Sequence, residues 1–193
     1  DSYNRCLQTV FITGKSGSGK TVLGKMLAME YRDFFISSSS NDPMYGYAGQ
    51  PAILLDELRP NVMDSADLLK FLDPYTRTSF RGRYKNRSMK NCRFVVITTI
   101  LKIEEFYERM RNAEDEPILQ LKRRCQTYIR MDMEHISVSF WDSKKQEYTM
   151  PCVCPNLVLE SLEHIRAGQE LTDEDRHALI RRILPDMYPP SSP

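Results

Sequence analysis

The chain has 193 residues, 41% of them hydrophobic and 27% charged, with a net charge of +1. That is enough for one well-buried domain with an appendage and short for two full domains. The near-neutral balance excludes any argument about partners from global charge, so only local clustering can identify a polyanion or surface binder. No apolar run reaches the ~18 residues that a membrane span needs, and no signal peptide is visible.

In chain order, residues 9–13 (Thr-Val-Phe-Ile-Thr) form an apolar, β-branched run that reads as a buried strand, and a helix is expected over 21–31. Between them stands Gly14-Lys15-Ser16-Gly17-Ser18-Gly19-Lys20-Thr21, the pattern G-x-x-x-x-G-K-[ST]. A glycine-rich turn from strand to helix lets backbone N–H groups wrap phosphate oxygens at a partly positive helix N-terminus. Gly14, Ser16, Gly17, Ser18, Gly19, Lys20 and Thr21 are therefore the expected nucleotide-binding residues. Lys20 reaches the β- and γ-phosphates of ATP, and the Thr21 hydroxyl is a ligand for Mg²⁺.

Further strands are expected over 34–37, 52–56, 93–99 and 127–131, and further helices over 65–72, 103–112 and 118–124. The unbroken apolar character of Ile53-Leu54-Leu55 and Phe94-Val95-Val96-Ile97 suits parallel strands covered on both faces. This alternation predicts an α/β domain with a central parallel sheet. Residues 137–141 and 147–150 read as a hairpin. Beyond Pro155, Leu157, Leu159, Leu162 and Ile165 space as one helix face. Thr172 followed by Asp175 reads as a second helix start, with Ala178, Ile180, Ile183 and Leu184 as its apolar side. The expected division is a 1–150 ATPase domain, a 151–184 helical extension and a loose 185–193 tail.

Four more clusters carry chemistry. The strand ending Asp56-Glu57 offers one carboxylate to hold Mg²⁺ (Asp56) and one to orient and activate an attacking water (Glu57). The strand ending Thr98-Thr99 places hydroxyls at a carboxyl end, where ligands sit in open α/β sheets, so either threonine suits the γ-phosphate or the water. Residues 77–93 hold seven Arg or Lys with no Asp or Glu, interleaved with Phe80 and Tyr84. This reads as a basic β-hairpin insertion with Arg81, Arg83, Tyr84, Lys85 and Arg87 on a nucleic-acid backbone and its bases. Arg123 and Arg124, just ahead of the last core strand, suit a finger that reaches a neighbouring subunit's γ-phosphate, with Arg124 favoured. The five cysteines, Cys6, Cys92, Cys125, Cys152 and Cys154, suggest reduced thiols in a cytosol-like compartment. Cys152-Val153-Cys154 is tighter than zinc spacing and reads as ordinary buried thiols. His135, His164 and His177 form no ligand pattern and read as surface or packing residues.

The order of these pieces resembles the superfamily 3 helicases, a P-loop, AAA+-like class. More narrowly it resembles the ATPase domain of Rep proteins, the rolling-circle replication initiators of small circular viruses and plasmids. Beside the phosphate loop and Asp56-Glu57-Leu58-Arg59, the likeness rests on Gly46-Tyr47-Ala48-Gly49-Gln50, Asp73-Pro74-Tyr75, the basic segment, Ile97-Thr98-Thr99-Ile100, Glu105-Phe106-Tyr107 and Leu121 to Arg124. It covers residues 9–132; residues 133–193 match nothing nameable. The family's asparagine after the threonine strand falls at Ile100; the expectation is that Thr99 substitutes or that another residue serves as the sensor. The resemblance implies an ATP-dependent DNA helicase domain working as a homo-oligomeric ring, a hexamer, on single-stranded DNA, with Lys85 near the tip of a channel-lining hairpin. It implies the bacterial cytosol, or a host nucleus for a viral protein. The start at Asp1-Ser2-Tyr3, without methionine, fits a piece of a longer polypeptide with a nicking endonuclease upstream.

Three other readings share the loop. A small-molecule P-loop kinase would use Arg123 and Arg124 as a lid but leave the basic segment without a role. An AAA+ loader or remodeller would act on protein instead. A non-catalytic module would bind nucleotide as an assembly switch. A transporter ATPase is disfavoured because no L-S-G-G-Q stretch occurs.

Overall fold

The computed structural model describes residues 6–75, 79–81, 86–169 and 171–185. Among the described residues ten strands and six α-helices follow in chain order. Strand β1 (Gln8–Gly14) leads into helix α1 (Lys20–Ala28), then β2 (Phe34–Ile36), β3 (Ala52–Leu55) and α2 (Ser65–Phe71). Next come β4 (Ser79–Arg81), β5 (Asn86–Ser88), β6 (Phe94–Thr99), α3 (Ile103–Glu108), α4 (Leu119–Arg124) and β7 (Thr127–Met131). The chain closes with β8 (His135–Asp142), β9 (Glu147–Tyr148), β10 (Cys152–Pro155), α5 (Leu157–Arg166) and α6 (Asp173–Ile183).

The main sheet runs β10-β8-β7-β1-β6-β3-β2, with β9 paired to β8. From β7 to β2 all pairings are parallel, as the apolar runs predict. β8 and β10 add an antiparallel edge. Alternation along the central strands divides the interior in two. Phe11, Ile53, Leu55, Val95 and Ile97 face a cluster with α2 and α3, where Phe11 meets the Phe106 ring edge-on at 5.4 Å. Val10, Ile12, Leu54 and Val96 face α1, α5 and α6. The result is a three-layer α/β arrangement consistent with a P-loop NTPase, with the carboxyl ends of β1, β3 and β6 along one rim. A separate pair, β4 with β5, is antiparallel.

Several expected boundaries move for tertiary reasons. α1 stops at Ala28 rather than 31, and the Tyr31 ring stacks on Phe94 at 5.3 Å. α3 stops at Glu108 rather than 112, because Asn112 is left-handed (φ 58°) and its carbonyl accepts from Ser65 Oγ. The expected α6 start is a complete capping box, Thr172 with Asp175. Its buried side is Leu179, Ile180 and Ile183; Ala178 is exposed, as is Ile165 on α5. Strand β10 was not foreseen, and it corrects the reading of the cysteine pair: Cys152 is exposed and Cys154 half-buried, since β10 is the outermost strand of the sheet. Cys92 and Cys125 are buried, and burial pushes the Cys125 thiol well above its usual range.

α6 is tied to the end of the phosphate-loop helix by charge. Glu30, whose side chain is 6% exposed, takes Arg176 Nε at 3.2 Å and His177 Nδ1 at 2.6 Å. Replacing Arg176 by Ala leaves Glu30 with a reduced set of donors in a dry place. Arg176→Ala should therefore lower unfolding free energy by about 1–3 kcal/mol in urea titration. Native-state alkylation read by mass spectrometry should label Cys6 and Cys152 first, and Cys92 and Cys125 only on unfolding.

Candidate functional site

The sequence pattern makes the loop by backbone necessity. Gly17 and Gly19 have φ of 83° and 95°, a region that favours glycine. A Cβ on Gly14 would fall 2.3 Å from the Met131 carbonyl, so the loop also lies close against the end of β7. Ser18 N donates to Lys15 O at 3.2 Å and closes the turn. Helix α1 then starts at Lys20, with its N-terminal amides directed at the loop.

Side chains from α1, the end of β3 and β6 converge on this turn. Lys20, 4% exposed, places Nζ 3.0 Å from Glu57 Oε1 and 3.3 Å from Lys15 O. Thr21 Oγ1 donates to Asp56 Oδ1 at 2.8 Å. Thr98 Oγ1 donates to the same oxygen at 2.7 Å and accepts from Glu57 N at 2.8 Å. Glu57 is held with φ 48°, a left-handed conformation uncommon for a side chain of its kind. Beside the carboxylates is a cavity of about 210 Å³ lined by Ser37, Ser40, Pro43, Asp56, Glu57 and Arg59.

This arrangement fits a nucleotide with Mg²⁺. A Cβ on Gly17 would meet nothing within 4 Å, so the loop has an open approach. Ser18 Oγ is buried without a hydrogen-bond partner among the described residues. Lys20 is a buried ammonium facing the turn. Thr21 and Asp56 set two hard oxygen ligands side by side, the sparse protein share typical of Mg²⁺ sites completed by phosphates and water.

Lys20, Thr21, Asp56 and Glu57 are thus brought together. Of the two threonines, it is Thr98 that touches both acidic residues. The Thr99 hydroxyl instead accepts from Leu101 N at 3.1 Å, and Ile100 is 61% exposed. Strand alternation is the reason: adjacent side chains on β6 face opposite sides. Arg124 is engaged by its own neighbours on α2 and α4. Its guanidinium donates to Leu69 O at 2.9 Å, to Gln120 O at 2.8 Å and to Gln120 Oε1 at 2.9 Å. Burial, with Arg123 adjacent, lowers its pKa from the usual arginine value, while Asp73 opposes the shift. Arg123 is exposed. Arg81 and Arg87 fall in β4 and β5, and Arg83, Tyr84 and Lys85 lie outside the described residues, as do residues 186–193 of the expected tail. The resemblance motifs Gly46-Tyr47 and Glu105-Phe106-Tyr107 are structural here: Tyr47 OH donates to Gln50 O at 2.8 Å, Phe106 is fully buried, and Tyr107 OH donates to Glu116 O at 2.6 Å. Among the described residues no helix is long and apolar enough to cross a membrane.

Residues 10–101 match the model of the family described as RNA helicase. The chain is also similar to a "Replication protein" of Onion yellows phytoplasma (strain OY-M), 40% identical over 160 residues. That match takes in 82% of this chain and 42% of the relative, so the chain spans about two-fifths of its length.

The two arginines should separate by what they support. Arg124→Ala should destabilise the fold by about 1–2 kcal/mol, because the partly buried carbonyls of Leu69 and Gln120 lose a charged donor. Arg123→Ala should leave the unfolding midpoint within about 0.5 kcal/mol of the parent.

Proposed function

We propose that this chain is the ATP-driven motor domain of a replication initiator of the superfamily 3, rolling-circle Rep type, moving single-stranded DNA through a homo-oligomeric ring. The observation that carries it is the convergence of Lys20, Thr21, Asp56 and Glu57 at the carboxyl ends of β1 and β3. The similarity to a replication protein and the family match over residues 10–101 support the polymer-moving role. The pairing of β4 with β5 supports reading the basic segment as a hairpin, and Arg81, Arg83, Tyr84, Lys85 and Arg87 are its proposed contacts to DNA. The reading places the protein in the cytosol or nucleus that holds the replicon.

The loop amides, Lys20, Thr21 and Asp56 would hold ATP with Mg²⁺, which would supply an electrophilic γ-phosphorus. The protein's part is electrostatic and positional. Lys20 Nζ pairs with Glu57 Oε1 at 3.0 Å. An entering anion competes for that ammonium, which releases the Glu57 carboxylate to accept a proton from water at Oε1. Thr98 keeps the Glu57 backbone fixed while this exchange occurs, and is the sensor we assign in preference to Thr99. For the finger that reaches a neighbour we assign Arg123, since Arg124 is engaged within its own chain.

Phosphate release should be stimulated by single-stranded DNA and fall at least a hundredfold in Lys20→Ala; unchanged turnover in that variant would refute the site. Arg123→Ala should bind ATP yet hydrolyse it poorly, and mixing it with Lys20→Ala subunits should partly restore turnover. The family description gives one specific alternative, RNA as the polymer. Stimulation by single-stranded RNA but not DNA would establish it, phosphate transferred to a small acceptor would mean a kinase, and stimulation by protein alone would mean a remodeller.

A further inference from the structure

Behind the phosphate loop lies a residue that the proposed chemistry does not use. Asn156 precedes α5 and is 4% exposed. Its side chain makes three hydrogen bonds to three different segments. Nδ2 donates to Ser18 O in the phosphate loop at 2.9 Å and to Asp132 O, between β7 and β8, at 2.8 Å. Oδ1 accepts from Leu159 N at 3.1 Å and caps α5. Its backbone N donates to Glu134 O at 2.8 Å. Val158 follows it against the loop: a Cβ on Gly19 would lie 2.9 Å from Val158 Cγ1.

The consequence follows from the planarity of the peptide. In a trans amide the C=O and the next N–H point in opposite directions. A donor that fixes the Ser18 carbonyl on the α5 side therefore fixes the Gly19 N–H on the other, toward the mouth of the loop. Gly19, left-handed and without a side chain, has wide rotational freedom, so its amide plane needs an external tie. We propose that Asn156 is a positioning residue of the nucleotide site: by holding the Ser18 carbonyl it aims the Gly19 N–H at the bound phosphates. This rests on the reading of residues 14–21 as the phosphate-binding loop. It makes the junction between sheet and C-terminal helices part of nucleotide recognition. An asparagine suits the place because it supplies two donor hydrogens for the two carbonyls and an acceptor for the helix cap. Serine or aspartate preserves the cap and loses the paired donation.

The test is titration of the full chain with fluorescent N-methylanthraniloyl-ADP and Mg²⁺, with unfolding midpoints measured on the same samples. Asn156→Ser and Asn156→Asp should bind about tenfold more weakly than the parent, the cost of one misdirected phosphate hydrogen bond. Arg176→Ala, destabilised at the far end of the same helical layer, should bind as the parent does. Folded Asn156 variants with parental affinity would overturn the proposal, and so would equal weakening in Arg176→Ala, which would reduce the effect to stability. Should neither Asn156 variant fold, the parent answers: its Asn156 side-chain amide signals must shift in ¹⁵N spectra when ADP is added, and unshifted signals overturn the idea. A parent that binds no nucleotide would overturn the site reading and this inference together. Binding lost in Lys20→Ala but intact in the Asn156 variants would remove this inference alone.

Discussion

One carboxylate oxygen organises the site. Asp56 Oδ1 accepts hydroxyl hydrogens from Thr21, on α1, and Thr98, on β6, at 2.8 and 2.7 Å. A carboxylate accepts and does not donate when ionised, so the two hydroxyls must both point inward to it. Their remaining roles are thereby set. Thr98, having spent its hydrogen, has lone pairs left for the Glu57 amide. The bonds run in series from backbone N–H to hydroxyl to carboxylate, and each polarises the next. Removing the middle member would unlock both acidic residues at once.

The strain at Glu57 makes sense in that light. A left-handed glutamate costs on the order of 1 kcal/mol or more, and persists only where its surroundings enforce it. Here they do so from three sides: the Thr98 hydroxyl on its amide, Lys20 on its carboxylate, and Leu58 N bonded to Thr98 O immediately after it. The geometry turns the chain away from the line of β3 directly after Asp56. The two successive carboxylates can then both line one small space. A strand continued through Glu57 would have thrown its carboxylate to the opposite face of the sheet.

Much of this was legible in the residues. The phosphate loop, the apolar strands and the acidic pair announce themselves through local chemistry: glycine for φ, β-branched runs for buried strands, charge at a strand end. What was not legible depends on facing. Thr98 and Thr99 are chemically alike, and only the register of β6 decides which meets Asp56. Arg123 and Arg124 are equally basic, and only the packing of α4 on α2 reveals that one is spent on Leu69 and Gln120. β10 is not legible because Cys-Val-Cys, set between Pro151 and Pro155, lacks the length and alternation that mark a strand. Asn156 is readable as a helix cap. Nothing near it in sequence points to Ser18, 138 positions away.

The C-terminal helices need a physical reason to matter, and the interior supplies it. Leu157, Val158, Leu179, Ile180 and Ile183 share one apolar cluster with Val10, Ile12 and Leu23, so they cover the same face of the sheet as the phosphate-loop helix. Apolar burial alone is non-directional and would tolerate sliding. The polar ties are what fix the register of this layer: Asn156 at the start of α1 and the Glu30 cluster just past its end. A helix held at both ends against its cover cannot shift along its axis without breaking a buried hydrogen bond or uncovering a buried charge, both of which are costly. Of the two ties only Asn156 reaches the loop itself, at the Ser18 carbonyl, 138 positions away and well outside the motif that identifies the loop.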